Sequence, residues 1–306
     1  MLGPLVISSA SFLVPDDLLT SDMWRLLKNS VAKRRRLLAG RLLITDSKKA
    51  YSRKTGLGHL RKAVLTGLNC LKKHAESKEE LLASLCPQCF ERLGTYPWYQ
   101  GLTEERLLAN TDEIRIAGSV LEKNLAENDI QLIDLESRCL DVGHYNAMVA
   151  SVQNKATVLF SAICSLIQRA LENAPPGQNL QIIVDRQGGR MSYRRPLQRM
   201  FPEMQLTIIT QDSATSSYEL CGSGKTMRLH FVTKADSRFL PVSLASMTSK
   251  YIRELLVDSI NRYFQKHRRT LKPTAGYWQD GQRFINDLQT HLPDLQYEKD
   301  KLIRSR

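Results

Sequence analysis

The apolar positions of this chain alternate between strand-like and helix-like spacing along most of its length. Short apolar or β-branched runs predict strands at 5–14, 41–44, 180–185, 204–210 and 227–232. Apolar residues at helical spacing predict helices at 59–73, 145–172, 243–264 and 279–292, the second ended by the proline- and glycine-containing segment 173–177. Strands that alternate with long helices predict an α/β fold, a mixed sheet flanked by helices.

One region interrupts this order. Residues 74–140 have mixed charge, and Pro87, Gly94, Pro97 and Gly101 break their short apolar runs. We therefore predict an insertion of loops and helices there. The expected organisation is a main domain begun by 1–73 and completed by 141–272, with the insertion at 74–140 and a C-terminal helical segment at 273–306.

Charge adds the first functional indication. The chain has 306 residues, 42% of them hydrophobic, and a formal net charge of +13. That balance allows a substantial core and favours a polyanionic partner, although a generically basic surface is the alternative. No apolar run reaches the roughly 20 residues of a membrane helix. Six cysteines do not make a disulfide framework in a chain of this length, and the first residues lack a basic secretory leader, so a cytoplasmic location is expected.

Two aspartates follow predicted strands. Asp185 ends the strand at 180–185, and Asp236 lies between the strand ending at Val232 and the helix beginning near Ser243. Carboxylates at neighbouring element ends can share a hard cation such as Mg²⁺, and paired cations can assist phosphodiester displacement. The alternatives are a turn former or helix cap at Asp185, and a charge favouring the helix dipole at Asp236.

The segment 235–254, ADSRFLPVSLASMTSKYIRE, resembles the type 2 ribonuclease H (ribonuclease HII) signature, in which an aspartate precedes an Ala-Ala-Ser-Ile-x-Ala-Lys-x-x-Arg-Asp helix. Other segments resemble this family's motifs in the family's order. They are Leu2-Gly3-Pro4-Leu5-Val6, Asp46-Ser47-Lys48-Lys49, His144-Tyr145-Asn146, Ile183-Val184-Asp185 and Gly276-Tyr277. The resemblance extends over nearly the whole chain except 74–140. It implies a ribonuclease H-like mixed sheet flanked by helices.

The family's Asp-Glu-x-Gly-Arg-Gly strand would lie immediately before Leu2, and the given sequence starts at Met1. Relative to the family, the first strand is therefore missing. Two of the four metal-binding carboxylates and the loop that reads the ribonucleotide are missing with it. Removing a strand from inside a sheet leaves its neighbours with unpaired backbone groups. We therefore expect a start that is too late, or a fragment. A milder departure is Glu254, where the family has aspartate.

By position, the resemblance implies Asp185 and Asp236 as catalytic metal ligands for Mg²⁺ or Mn²⁺. It also implies nucleic-acid contacts, to phosphate at Ser47, Lys48 and Lys250, to the sugar at Tyr277, and to the backbone at Asn146. The alternatives are a solvated charge for Lys250, a half-buried core aromatic for Tyr277 and a helix cap for Asn146.

A cluster of arginines follows Asp185, at Arg190, Arg194, Arg195 and Arg199. Arginine is suited to bidentate phosphate contact, so charge and location predict a nucleic-acid role, with a solvated basic face as the alternative. Two other motifs are weaker. Cys86-Pro87-Gln88-Cys89 lacks a second pair at zinc-ribbon spacing. Gly222-Ser223-Gly224-Lys225-Thr226 has Glu219 where a phosphate loop needs glycine, which favours a hairpin turn.

Three functional hypotheses follow. The first is a metal-dependent endonuclease that hydrolyses RNA in RNA–DNA hybrids or ribonucleotides embedded in DNA, inactive or impaired in residues 1–306. The second is a non-catalytic nucleic-acid-binding protein that retains the ribonuclease H fold. The third, a transposase or resolvase relative, is disfavoured by the Ala-Ser-x-x-x-Lys-x-x-Arg helix. The expected partner is the hybrid or ribonucleotide-containing duplex, bound by a monomer without a membrane.

Overall fold

A computed structural model of the chain describes residues 1–51, 56–107, 110–175, 177–222 and 224–305. The protein is mixed α/β. Its strands are β1 (Leu5–Leu13), β2 (Val31–Ala32), β3 (Leu42–Leu43), β4 (Gln131–Leu140), β5 (Leu180–Asp185), β6 (Gln205–Gln211), β7 (Thr215–Gly222) and β8 (Lys225–Val232). Its α-helices are α1 (Met23–Leu26), α2 (Ser47–Ala50), α3 (Gly58–Cys70), α4 (Lys78–Leu85), α5 (Phe90–Leu93), α6 (Thr111–Ala126), α7 (Val142–Val152), α8 (Lys155–Asn173), α9 (Arg194–Met200), α10 (Leu240–His267), α11 (Trp278–His291) and α12 (Lys299–Leu302).

The described strands form separate sheets. β1 pairs antiparallel with β4 along its whole length, with a register shift between Ser11 and Phe12. A four-stranded sheet has the order β5-β8-β7-β6, in which β5 is parallel to β8 and the other neighbours are antiparallel. β2 and β3 make a short parallel pair. Neither β1 nor β5 has a second partner strand among the residues described.

The segment 74–140, predicted as an insertion, contributes to the main architecture. Its last ten residues form β4, the partner of β1. Leu81, Leu85 and Leu121 from its helices lie in the same hydrophobic core as Leu244 and Leu256 of α10. The segment was difficult to interpret because Glu136 and Ser137 lie within β4 and are buried there, which interrupts its apolar pattern.

The helix predicted at 145–172 is two helices. α7 ends at Val152, and Gln153 takes a left-handed conformation with φ of 51°. The Asn154 side chain then accepts the Thr157 N–H and caps α8. The two helices differ in direction by 116°. The apolar spacing continues through this break, so periodicity alone predicted one long helix. Pro176 belongs to the segment predicted to end that helix and lies outside the described residues.

The remaining predicted helices are confirmed with small changes in their ends, as α3, α10 and α11. The predicted strands at 180–185, 204–210 and 227–232 are β5, β6 and β8, and that at 41–44 is the two-residue β3. β7 was not predicted. No single helix in the described ranges is long and apolar enough to cross a membrane; α7 and α8 pass that test only when joined across their bend.

Two cores position the functional residues. The larger one surrounds α10, α3 and the helices of 74–140. The smaller one lies between α8 and the β5-β8-β7-β6 sheet, where Phe160, Tyr193 and Phe231 contact one another. α10 contacts both β1 and β5. This helix therefore joins the two sheets, and its first three turns contact the Asp236 turn, Ser47 and Tyr277.

Candidate functional site at the end of β5

Asp185 is the last residue of β5 and lies opposite Val232, the last residue of the parallel strand β8. Its Oδ1 accepts the backbone N–H of Ala235 at 2.8 Å. Ala235 is fully buried, so this bond fixes the turn that follows β8. Asp185 itself is exposed. The carboxylate predicted at this strand end therefore faces solvent and also holds the segment that carries Asp236.

Asp236 lies in a one-turn 3₁₀ helix, Ala235–Ser237, that begins after the left-handed residue Lys234. The Ser243 hydroxyl donates to the Asp236 carbonyl and fixes this turn to the start of α10. Burial raises the pKa of the Asp236 carboxyl, and the nearby carboxylates of Asp46 and Asp185 raise it further, against a smaller opposing effect of Lys48. Asp185 and Asp236, predicted to lie together, are thus close enough to repel each other.

Asp46 is the third carboxylate that acts on Asp236, and no role was predicted for its side chain. It caps α2, where its Oδ1 accepts the Lys48 N–H at 2.8 Å. The Ser246 hydroxyl of α10 donates to the Ser47 hydroxyl at 3.0 Å, which holds the Asp46–Lys49 segment against α10. The sequence signal for Asp46 was its position at the start of the Asp-Ser-Lys-Lys motif. An aspartate that only caps a helix gives the same signal.

A divalent cation does not fit the described residues alone. Mg²⁺ requires near-octahedral oxygen coordination, supplied by carboxylates and retained waters. In the described part of the chain, no group of three or more His, Cys, Asp or Glu side chains is arranged to hold a metal ion. The carboxylate cluster therefore supplies charge and oxygen atoms at one place without forming a metal site.

A second group of residues lies about two turns after Ser243 on α10. It includes Lys250 and Tyr277, which were both predicted to contact nucleic acid. Lys250 donates to Glu254 and to the Tyr277 hydroxyl, both at 2.6 Å, and its ammonium lies 4.8 Å from the centre of the Tyr51 ring. Arg253 lies over the Tyr277 ring at 4.6 Å. Lys250 is only 11% exposed, whereas Tyr277 is 50% exposed. These residues form a lysine–tyrosine cluster of Tyr51, Lys250, Arg253 and Tyr277. In this cluster the Tyr277 ring is accessible to solvent, and the Lys250 ammonium is paired with the Glu254 carboxylate.

The turn before Tyr277 requires glycine. Gly276 has φ of +73°, and a Cβ atom there would lie 2.8 Å from the Leu2 carbonyl oxygen. The Leu2 N–H also donates to the Gly276 carbonyl at 2.9 Å. The predicted Leu2-Gly3-Pro4 and Gly276-Tyr277 motifs are therefore in direct contact, although 274 residues separate Leu2 from Gly276 (276 minus 2).

One side of α10 joins these groups. Ser243 bonds to the Asp236 backbone, Ser246 bonds to Ser47, and Lys250 contacts Tyr277. These positions are three and four residues apart, the spacing that places side chains on one helix face. One face of α10 therefore contacts the Asp236 turn, Ser47 and Tyr277 in succession, and this face is called the α10 surface.

Asn146 has a different environment. Its amide donates to the carbonyls of Asp300 and Ile303 at 3.0 and 2.9 Å, and its oxygen accepts the Ser305 N–H at 2.7 Å. Asp141, not Asn146, caps α7. The side chain therefore holds the C-terminal residues. A phosphate contact at Asn146 stays a prediction, and such a contact would have to replace these hydrogen bonds.

The arginine cluster lies beside the loop that leaves Asp185. Tyr193 fixes this loop, because its ring stacks on Phe231 with a centroid distance of 3.6 Å and its hydroxyl accepts the Gln187 N–H at 3.0 Å. Arg190 packs against the rings of Phe160 and Tyr193. The arginines of α9 that are exposed to solvent are Arg194, Arg195 and Arg199. The arrangement leaves three cations on a fixed surface near the strand end.

The weaker motifs are also located. Cys86, Cys89 and Cys139 are buried together, and hydrogen bonds from Cys139 and Cys86 lower the pKa of the Cys89 thiol. They are free thiols, and no described metal group includes them. Gly222 pairs with Lys225 across a tight hairpin between β7 and β8, as the turn interpretation expects; Ser223 lies outside the described residues.

Comparisons with protein-family models, with curated proteins and with solved structures give no match to this chain.

The raised pKa of Asp236 gives a stability prediction. A carboxyl whose pKa is higher in the folded protein reduces stability as pH rises from its ordinary value of 3.8 through the folded value, because the folded state then carries the repelled charge. Asp236→Asn should therefore raise the free energy of unfolding at pH 7 by about 0.5 kcal/mol, allowing for screening by solvent, and should have little effect at pH 3.5. Urea unfolding at both pH values measures this.

Asp212 provides the control of opposite sign. Backbone N–H groups of Thr215 and Ala214 lower the pKa of its carboxyl, so its charge stabilises the fold above pH 3.8 and this stabilisation is lost as pH falls through the lowered value. Asp212→Asn should then lose stability at pH 7. If Asp236→Asn behaves like Asp212→Asn, the repulsion within the carboxylate cluster is not present in the folded protein.

Proposed function

We propose that this chain is a ribonuclease HII-like nuclease body that binds RNA–DNA hybrids, or DNA with embedded ribonucleotides, and that hydrolysis by residues 1–306 is absent or impaired. The observation that carries the proposal is that Asp185 and Asp236 line one cleft, where Asp185 Oδ1 accepts the N–H of Ala235, the residue before Asp236. Asp46 and Asp185 are 139 positions apart in the sequence (185 minus 46). The resemblance implies Asp185, Asp236 and Lys48 for this site.

The arrangement of the binding surface supports the same proposal. The exposed ring of Tyr277 lies beside Lys250 of α10, and exposed arginines of α9 follow the loop that leaves Asp185. Arginine and lysine would neutralise backbone phosphates, and an aromatic face can pack against a sugar or base. The Ser47 hydroxyl and the exposed Lys48 side chain would position the strand without reading its sequence.

The residues present limit the chemistry. If Mg²⁺ or Mn²⁺ were bound, it would neutralise charge on the scissile phosphate and activate water. Asp185 and Asp236 are the ligands that the resemblance implies, and the described chain does not complete their site. We therefore assign binding and positioning to this chain and derive no hydrolytic step. The same observation favours the second candidate, a non-catalytic nucleic-acid-binding protein with a ribonuclease H-like fold.

Incubation of the purified chain with labelled duplex tests hydrolysis. The substrates are a 20-base-pair RNA–DNA hybrid and a DNA duplex with one ribonucleotide, each with Mg²⁺ or Mn²⁺. We expect no more product than Asp185→Asn protein gives, because the metal site is incomplete. Efficient cleavage that Asp185→Asn abolishes would show a complete active site and contradict the expected impairment. Efficient cleavage that survives Asp185→Asn would remove Asp185 from the site altogether.

A further inference from the structure

One segment of the chain concentrates its positive charge. Residues 25–49 contain nine lysines and arginines and one acidic residue, Asp46, so they supply eight units (9 minus 1) of the formal net charge of +13. The centre of this segment is the connection between β2 and β3, which has the sequence KRRRLLAGR at 33–41 and is called the basic loop. The function proposed above gives the basic loop no role.

The backbone of the basic loop is held in one conformation. The Arg41 guanidinium donates to the Leu38 carbonyl at 3.2 Å and to the Lys28 carbonyl at 2.8 Å. Ala39 and Gly40 both have a positive φ, of 39° and 82°, and turn the chain toward β3. Arg41 is therefore used to brace the loop, and the other cations of the loop extend from a defined turn.

The protein does not neutralise these other cations. Arg34 and Arg36 of the basic loop are exposed, as are Lys48 and Lys49 of α2. Within the described ranges, none of these four side chains forms an ion pair with a carboxylate. Like charges held close together repel one another in the free protein, so this arrangement favours the binding of a polyanion.

The basic loop is joined to the candidate functional site through α2. The Arg35 guanidinium donates at 3.1 Å to the carbonyl of Ala50, the last residue of α2. The first residue of α2, Ser47, is bonded to α10. Lys48 lies close enough to Asp236 to oppose the rise in the pKa of its carboxyl. Exposed cations therefore continue from the vicinity of Asp236, across α2, to the basic loop.

This surface is separate from the arginines of α9. Trp24 and Val31 beside the basic loop belong to the larger core, and Leu38 of the loop packs against that core. α9 contributes Leu197 to the smaller core instead. A ligand that contacts both surfaces must extend over both cores. A nucleic-acid duplex meets this requirement, because its phosphates repeat along both strands, whereas a single small anion does not.

We propose that the basic loop is a second backbone-binding surface, at which Arg34 and Arg36 contact phosphates of the duplex whose ribonucleotide-containing segment lies at Asp185 and Asp236. The inference rests on the proposed function, because it takes that duplex as the ligand. Arginine binds phosphate through two parallel hydrogen bonds, and phosphate contacts carry no direct sequence information. The basic loop should therefore increase the affinity for every duplex and leave the preference for the hybrid unchanged.

An anionic membrane is the competing ligand for an exposed basic loop. Membrane-surface binding commonly uses an amphipathic helix that buries a broad apolar face. The helical part of the basic loop is only the three-residue 3₁₀ helix Arg35–Leu37. Within 33–41, which the structure describes completely, Leu37 is the one large apolar side chain that is exposed. These features favour nucleic acid, and membrane binding is an outcome of the test.

The test compares the unaltered chain with the double variant Arg34→Ala/Arg36→Ala. A DNA duplex and the RNA–DNA hybrid of the same sequence are titrated at several salt concentrations. The loss of two phosphate contacts should reduce the slope of log affinity against log salt concentration by about 2. Both duplexes should lose affinity by the same factor, on the order of tenfold or more.

The matched control is Arg106→Ala/Arg115→Ala. These arginines are 63% and 72% exposed, so the control removes the same charge from exposed positions. It should leave the slope nearly unchanged. An unchanged slope in the loop variant, or an equal reduction in the control, would overturn the second surface and leave the proposed function in place.

The remaining outcomes separate the two proposals. If the unaltered chain binds hybrid and DNA equally and the loop variant still reduces the slope, the second surface is supported and the proposed function is contradicted. No binding of either duplex would overturn both. Binding to phosphatidylserine vesicles that the loop variant loses, while it keeps the full duplex affinity, would assign the basic loop to a membrane and overturn this inference alone.

Discussion

Replacing Lys78 by alanine should lower the free energy of unfolding by about 3 kcal/mol. The Lys78 side chain is only 3% exposed and forms an ion pair with Glu105. It also donates to Asp258, to the Ser259 hydroxyl and to the Leu255 carbonyl, each at 3.0 Å. Alanine would leave these acceptors without the ammonium group, and buried acceptors that lose their donor carry the full cost of desolvation.

Urea unfolding followed by circular dichroism measures this effect. Lys72→Ala is the matched control, because Lys72 pairs with Glu122 while 77% exposed, and such surface pairs contribute little to stability. Lys78→Met, which keeps an apolar side chain of similar length, should lose nearly as much as alanine. A loss for Lys78→Ala as small as that for Lys72→Ala would mean that this ion cluster does not fix 74–140 to α10.

The outcome also bears on domain organisation. Lys78 belongs to the segment predicted as an insertion, and Asp258 and Ser259 belong to α10, which connects the two sheets. If the segment is part of the main core, the unfolding transition should remain single and shift as a whole. Two separate transitions in Lys78→Ala would instead show that 74–140 unfolds independently.

Replacing Arg194, Arg195 and Arg199 together by alanine should weaken nucleic-acid binding and reduce its dependence on salt. Each phosphate contact contributes about 0.9 to the slope of log affinity against log salt concentration, so three contacts should reduce the slope by about 2 to 3. The loss should be similar for RNA–DNA hybrid and for DNA, since phosphate contacts carry no direct sequence information. Titrations at several salt concentrations measure both quantities.

The control replaces three other exposed cations, Arg106, Arg115 and Lys123. The last two lie on α6, whose apolar residues belong to the larger core and not to the one beneath α9. The two triple variants have equal net charge, so a general effect of charge would weaken binding equally in both. That result would assign the basic charge of α9 to a solvated face, the alternative interpretation.

The strands and helices with regular spacing were predictable, and β7 shows why others were not. Its sequence Thr215–Gly222 contains Ser216 and Ser217, which are nonetheless buried. The Ser216 hydroxyl donates to the Met191 carbonyl at 2.6 Å, and Ser217 bonds to His230 at 2.8 Å. Polar residues whose hydrogen bonds are satisfied inside the sheet do not register in an apolar pattern.

The candidate site was predictable in part. Asp185 and Asp236 were each identified from their positions after strands, which depends only on local sequence. The contribution of Asp46 depends on the contact between α2 and α10, made by Ser47 and Ser246, which are 199 residues apart. Long-range contacts of this kind follow from the complete fold. The commitment of Asn146 to the C-terminal residues had no local signal for the same reason.

The central claim is that the α10 surface recognises ribonucleotide-containing duplex. The most direct test is the affinity of the purified chain, at one fixed salt concentration, for an RNA–DNA hybrid and for a DNA duplex of the same sequence. The proposal predicts tighter binding of the hybrid, because the 2′-hydroxyl distinguishes RNA from DNA, and predicts that Tyr277→Ala reduces this preference. Equal affinity for the two duplexes, unchanged by Tyr277→Ala, would contradict it.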